Sequence, residues 1–169
     1  LNLSPESEYA DDKRVWQGIP GIERASNGRL WAVWYSGATT EEAGNYVLLT
    51  ESIDDGVTWS GPKLVIDPGV PLRAFDPAIW HDPLGRMWVF WAQSRDRYDG
   101  RAGVWAITTE NSDSENPKWS KPVRICNGIM MNKPTVLSTG EWLLPAAVWS
   151  GKKGLYHDLP EEKGANVFS

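Results

Sequence analysis

The chain has 169 residues, with 17 Lys and Arg against 22 Asp and Glu for a net charge of −5, and it carries 11 Trp, 16 Gly and 12 Pro. That is the length of one ordinary domain, enough to bury roughly 70% of the surface an unfolded chain exposes, while scattered positive residues under a net negative charge exclude the basic footprint of a nucleic-acid binder. Apolar runs of about six residues are far too short for the ~20 that cross a bilayer, and Cys126, His81 and His157 offer neither an internal disulfide nor a zinc-ligand set.

Read in chain order, the sequence repeats. Gly28-Arg29-Leu30-Trp31-Ala32-Val33-Trp34 recurs 57 positions later as Gly85-Arg86-Met87-Trp88-Val89-Phe90-Trp91, with a weaker third copy in Gly140-Glu141-Trp142-Leu143-Leu144. An X-Pro step precedes each copy, at Ile19-Pro20, Asp76-Pro77 and Lys133-Pro134, and the prolines are again 57 apart. Alternating β-branched and aromatic residues between Gly, Pro and Asn/Asp clusters predict strands rather than helices. The first unit is read as strands over about 19–25, 30–35, 45–51 and 62–66, and the second over 77–81, 87–92, 103–109 and 122–126. Four-stranded units of this period are what propeller blades look like. The fold class is therefore all-β, a β-propeller of four-stranded antiparallel blades. Blade 1 covers about 15–74, blade 2 about 75–131 and an incomplete blade 3 about 132–169. Trp31, Trp34, Trp88, Trp91 and Trp105 fall inside strands and are expected to pack between blades. Because 169 residues hold just under three units of 57, and propellers close with four to eight blades, the chain reads as about half of a ring. Further blades or other copies of the chain would shield its open faces.

Between the third and fourth strands of the first unit, Ser52, Asp54, Gly56, Thr58 and Trp59 fit S-x-D-x-G-x-T-W at every fixed position. The spacing predicts a tight turn, with Asp54 accepting backbone N–H bonds and Gly56 supplying a left-handed residue. The second unit keeps a decayed copy from Ser112 to Trp119 that has lost the Gly. This motif, together with the period around it, resembles the Asp box of the sialidase superfamily, whose BNR-type repeats build six-bladed propellers. The resemblance implies an exo-acting glycoside hydrolase that removes terminal sialic acids or acts on other acidic glycans. It implies three Arg around the substrate carboxylate, an Asp acid/base and a Tyr nucleophile activated by a Glu, the Tyr and last Arg lying in later blades. No cofactor or metal is called for, although calcium is compatible with the Asp-bearing loops. A glycan substrate points to a secreted or periplasmic setting, with no signal segment in these residues.

Strand reversal puts the Asp-box turn at one end of the blade and the start of the innermost strand, where the family's site lies, at the other. The site end then carries Trp16 and Gln17, residues 36–44, 67–76, 93–101 and 127–133. Where the family has Arg before Ile-Pro, this chain has Gly18, and losing one guanidinium weakens a carboxylate clamp. Glu41 and Glu42 are candidates for an acid that protonates a glycosidic oxygen, or are simply a solvated loop. Arg73 and Asp76 form either a substrate clamp with an acid or an ion pair tying two blades, and the two readings are compatible. Arg95, in an alternating charge loop with Asp96, Arg97, Asp99 and Arg101, could replace the missing clamp member. Asn132 and Lys133 are expected to reach the central channel, and Trp16 and Gln17 could stack on and hydrogen-bond to a sugar or pack structurally. His81 falls on the far end and His157 in an unplaced tail. Three readings follow: a sialidase-like exo-glycosidase, inactive in these residues alone; a propeller hydrolase or lyase for another acidic polysaccharide; and a non-catalytic glycan- or protein-binding propeller.

Overall fold

The computed structural model describes residues 1–37, 39–95 and 101–149 and the backbone of 166–168. Two four-stranded antiparallel sheets follow one another along the chain. The first joins β1 (Trp16–Arg24), β2 (Leu30–Gly37), β3 (Tyr46–Ser52) and β4 (Leu64–Ile66) in that order, and the second joins β5 (Arg73–His81), β6 (Met87–Ser94), β7 (Gly103–Thr109) and β8 (Val123–Asn127). In the third unit β9 (Ile129–Met130) pairs with β12 (Ala146–Ala147), and β10 (Thr135–Val136), β11 (Trp142–Leu144) and β13 (Asn166–Phe168) make a three-stranded sheet.

The repeat seen in the sequence is a repeat of one turn. In the first sheet the Ala25 N–H donates to the Arg29 carbonyl at 2.8 Å and the Gly28 N–H to the Ala25 carbonyl at 3.0 Å. Asp82, Gly85 and Arg86 reproduce both bonds at 3.0 and 2.9 Å, and Leu137, Gly140 and Glu141 at 2.8 and 2.9 Å. Each turn needs one residue at positive φ, and Gly28, Gly85 and Gly140 supply it at 92°, 81° and 91°. A side chain there would be strained whatever the space around it.

The core lies between sheets. Because strand side chains alternate between faces, Trp31, Val33 and Tyr35 of β2 turn toward the second sheet and meet Ile79, Met87, Val89 and Trp91. Phe90, Val104 and Ala106 turn the other way, onto Met130, Leu144 and Ala146 of the third unit. Trp142 completes this second layer, edge-on to Trp80 at 4.9 Å and to Trp88 at 5.5 Å. Trp31 and Trp91 are fully buried and Trp105 stacks on Trp91, so these three pack between sheets, as their strand positions predict, whereas Trp34 turns to the outer face of the first sheet. The outer face of the first sheet is covered by the N-terminal segment, where Tyr9 packs edge-on against Tyr46 and Arg14 lies over Trp34.

The innermost strands start earlier than the sequence suggests, at Trp16 and Arg73 rather than near 19 and 77. The expected starts fall at or beside the prolines, but each strand begins earlier and runs through its proline on a bulge. Register slips between Gly18 and Gly21 in β1 and between Phe75 and Ala78 in β5, so that an X-Pro pair faces a single residue of the neighbouring strand. The X residues, Ile19 and Asp76, hold φ of 47° and 46°. Left-handed backbone at a non-Gly residue costs on the order of 1–3 kcal/mol and persists where surrounding structure imposes it. Matching strain at the same point of both sheets marks that point as one the fold is built to hold.

The opposite end is tied by turns. The Ser52 hydroxyl donates to Asp54 and accepts the Gly56 N–H, while Asp54 accepts the Thr58 N–H at 2.8 Å and the Thr58 hydroxyl at 2.6 Å. Those bonds, above all the ones from Thr58, hold the Asp54 carboxyl down at about 2. In the second sheet the corresponding turn has turned outward to a neighbour. Asp113 accepts the Ser26 hydroxyl at 2.6 Å and the Asn27 N–H at 3.0 Å, and the Ser112 carbonyl accepts the buried Trp31 indole N–H at 2.8 Å.

Candidate functional site

Register fixes which groups share an end. Trp16 pairs with Gly37 and Ser36 with Tyr46, whereas Arg24, Leu30 and Ser52 are level at the other end. Residues 39–45 and the two bulges therefore stand together, away from the Asp54 turn. Between the three units at this end lies a cavity of about 140 Å³ lined by Ile19, Glu41, Arg73, Phe75, Asp76, Ile129, Met131 and Trp149. Its floor is buried, and its rim is formed by Met131 and Trp149, which remain 45% and 39% exposed.

Three of the candidate residues meet in this cavity, each from a different local cause. Asp76 is delivered by the bulge of β5, whose left-handed backbone sits among buried neighbours. Arg73, at the first position of β5, is buried with its guanidinium 3.9 Å from the Phe75 ring centroid. Glu41 reaches in from the β2–β3 loop, where the Tyr35 hydroxyl donates to its Oε1 at 2.5 Å. Burial, reinforced by the charge of Glu41 and opposed by Arg73, pushes the Asp76 carboxyl up to about 6. Tyr35 is itself held well above the ordinary phenol value, by burial first and then by Glu41. A carboxyl that titrates at about 6, beside a second carboxylate and a guanidinium, exchanges its proton at mildly acidic pH and can donate one to a bound group and accept one back.

The other candidates are placed elsewhere or serve the frame. Glu42 accepts the Thr39 hydroxyl at 2.8 Å and its N–H donates to Asn45, which closes its own loop; it does not line the cavity. Gln17 turns to the opposite face of the first sheet, where its Oε1 accepts the Trp34 indole N–H at 2.9 Å. That face bears a larger groove of about 870 Å³, but its charged lining groups, Asp11 and Arg14, pair with each other. Trp16 packs beside Tyr35, ring centroids 6.5 Å apart, behind the cavity wall. Lys133 crosses to β1, donating to Glu23 at 2.5 Å and to the Ile22 carbonyl at 3.2 Å, and Asn132 is exposed and accepts the Lys133 N–H. Arg95 is exposed at the end of β6. Asp96, Arg97 and Asp99 of that loop, and residues 151–165 with His157, lie outside the described residues. His81 ends β5 with its Nε2 2.9 Å from the Ser112 hydroxyl and its Nδ1 3.5 Å from Glu23.

Tyr35, behind this cavity, and Ile19, Phe75 and Trp149, in its lining, are residues of the candidate site that the sequence reading did not single out. Tyr35 carried a signal, since it stands on the inward face of β2 two residues before the strand ends, but its partner is six positions away on a loop whose path no pattern predicts. Ile129 and Met131 lie within 127–133, one of the segments that strand reversal assigns to the site end.

No family model matches the chain, and no curated protein does. Solved structures do. The Hadza microbial sialidase Hz136 aligns with 80% of the chain at 17% identity and a TM-score of 0.61. The Trypanosoma rangeli sialidase in complex with sialic acid aligns with 80% at 13% identity and 0.59. The Penicillium chrysogenum alpha-L-arabinanase complexed with arabinobiose aligns with 83% at 20% identity and 0.52. The chain spans 33%, 27% and 43% of the lengths of these proteins. At such identities the likeness is one of fold, and in strand order and face-to-face sheet packing this chain is a run of the antiparallel β-propeller blades found in sialidases and an arabinanase.

Proposed function

We propose that the chain is part of a glycoside hydrolase propeller and that its acid/base machinery lies in the cavity shared by Glu41, Arg73 and Asp76. The observation that carries this reading is the convergence of the three groups from separate elements, with Asp76 on a strained bulge and its carboxyl raised to about 6. Protonated Asp76 supplies the proton to the departing glycosidic oxygen and Arg73 orients the sugar through its guanidinium. The negative charge of Glu41 keeps the proton on Asp76 until it is needed, which is the logic of paired carboxylates with separated roles. The turn at Ser52–Thr58 is read as an Asp box with a scaffold role, consistent with a sialidase-like, exo-acting enzyme for terminal acidic sugars.

One observation favours a sugar other than sialic acid. The position where a clamp Arg would stand is Gly18, and a Cβ there would meet Tyr35 Cε1 at 3.3 Å and its hydroxyl at 3.4 Å. A side chain at 18 would press on the phenol from its first atom, and among the described residues lining this cavity the cation is Arg73. The test is turnover by the full-length protein of 4-nitrophenyl glycosides carrying sialic acid, glucuronic acid or arabinofuranose. We expect activity on one of these that falls as pH rises through about 6 and is lost in Asp76→Asn. Absence of turnover on all three, with binding of the same sugars retained, would replace the enzyme reading by a binding module.

A further inference from the structure

Glu41 sits on a loop, and a loop carboxylate acts reproducibly only if something rigid fixes it. The rigid element here is Tyr35, fully buried on β2 between Trp16 and Phe75, each ring 6.5 Å from it, with its hydroxyl donating to Glu41 Oε1 at 2.5 Å. Directly across the sheet from Tyr35 stands Gly18, its register partner in β1. Any side chain at position 18 would project at the phenol ring, within 3.3 Å of Cε1. Tyr35 and Gly18 therefore form a matched pair: the missing side chain leaves the space that the phenol occupies.

We propose that Tyr35 is a positioning residue, seated by Gly18, that locks the Glu41 carboxylate into the cavity with Asp76 and so sets the protonation of the acid. The inference rests on the reading of this cavity as the site of proton transfer. Among the described residues, the charged and titratable groups facing Asp76 are Glu41 from the β2–β3 loop, Arg73 from its own strand and Tyr35 from β2, and the third unit contributes Ile129, Met131 and Trp149 to the lining. If Tyr35 releases Glu41, the negative charge beside Asp76 becomes mobile and Asp76 must titrate lower. Burial stays, so the fall is partial.

The test is carboxyl NMR titration of Asp76 in the full-length protein, in wild type, Tyr35→Phe, Glu41→Gln and the double variant. Tyr35→Phe keeps the ring and removes the hydroxyl, and we expect the Asp76 midpoint to fall by roughly half a pH unit to one unit, less than the roughly one to two units of a direct hydrogen bond to a charged group because Tyr35 acts through Glu41. Glu41→Gln should lower it at least as much, and the double variant should lower it no further than Glu41→Gln alone, because Tyr35 acts through Glu41. Gly18→Ala, which crowds the phenol without deleting it, should shift the midpoint in the same direction by less. It also serves as the second variant should Tyr35→Phe fold poorly. An unmoved midpoint in Tyr35→Phe, or an equal further shift on top of Glu41→Gln, would overturn the proposal. The titration needs no substrate, so a protein that shows the coupling yet hydrolyses no glycoside would refute the glycosidase reading and leave this one standing.

Discussion

Two aspartates at opposite ends of the blades show how one side chain is used in two ways. Asp54 is solvent-exposed yet saturated with donors, and the Thr58 and Ser52 bonds hold it at about 2, permanently ionised. Asp76 is 6% exposed, stands on left-handed backbone beside the Glu41 carboxylate and is pushed up to about 6. A carboxylate that closes a turn is given every donor it can accept. One that is buried beside a like charge holds its proton to higher pH, into the range where a carboxyl can serve as the proposed acid.

The sharpest way to break the contrast is to remove each charge in turn. Asp76→Asn should lower kcat on a responsive aryl glycoside by about 10²–10⁴, the usual range for a general acid. Its thermal midpoint at pH 7 should hold or rise, since Asn tolerates the left-handed backbone and carries no charge to desolvate. Retained activity would place the acid elsewhere.

The next effect concerns stability against pH. Because the folded pKa of Asp76 lies above the unfolded one, native protein binds more protons between them. This contribution is fully present below the unfolded value of about 4 and is lost as pH rises through about 6, on the order of 2–3 kcal/mol at most. Urea unfolding at pH 4.5 and pH 7.5 should reveal it, and Asp76→Asn should flatten that dependence.

Asp54 works in the reverse sense. Its depressed pKa makes its stabilisation present above about 4 and lost as pH falls toward about 2. Asp54→Ala should lower the thermal midpoint at pH 7, with the gap to wild type closing in acid, and should leave the pH–activity profile where it was. A moved profile would mean that the two ends are coupled. The smallest expected change is that of Asp113→Ala, which loses the bonds from Ser26 and Asn27 while the Asn27 side chain can still donate to the backbone carbonyl of residue 113. Hydrogen exchange should rise in the turn 25–29 and not at the Asp76 end.

Much of the frame was legible because its causes are local. Gly28 and Gly85 announce turns that only a left-handed residue can close, and the alternation of Trp31, Val33 and Tyr35 with Ala32 and Trp34 marks two faces of a strand. The 57-residue period multiplied each weak signal. Less visible was the role of the prolines. Pro20 and Pro77 look like strand boundaries, yet the strands continue through them on bulges whose strain is held by packing against the neighbouring sheet. Glu41 and Glu42 are adjacent and alike in sequence. Which of them lines the cavity depends on Tyr35 on one side and on Thr39 on the other. Gln17 and Gly18 show the same division, since the alternation of β1 sends the Gln17 side chain to the outer face while a Cβ at Gly18 would point at the Tyr35 phenol.

Sequence by itself determined the architecture, since turn chemistry and side-chain alternation act over a few residues and a repeat writes them three times. Tertiary structure alone decided the site. Glu41, Asp76 and Arg73 come from a loop and a bulged strand of different sheets, and their meeting depends on how the sheets stack and on the phenol that Gly18 admits. Ionisation followed from the same packing, because burial and a neighbouring charge are properties of the assembled fold and not of any segment within it.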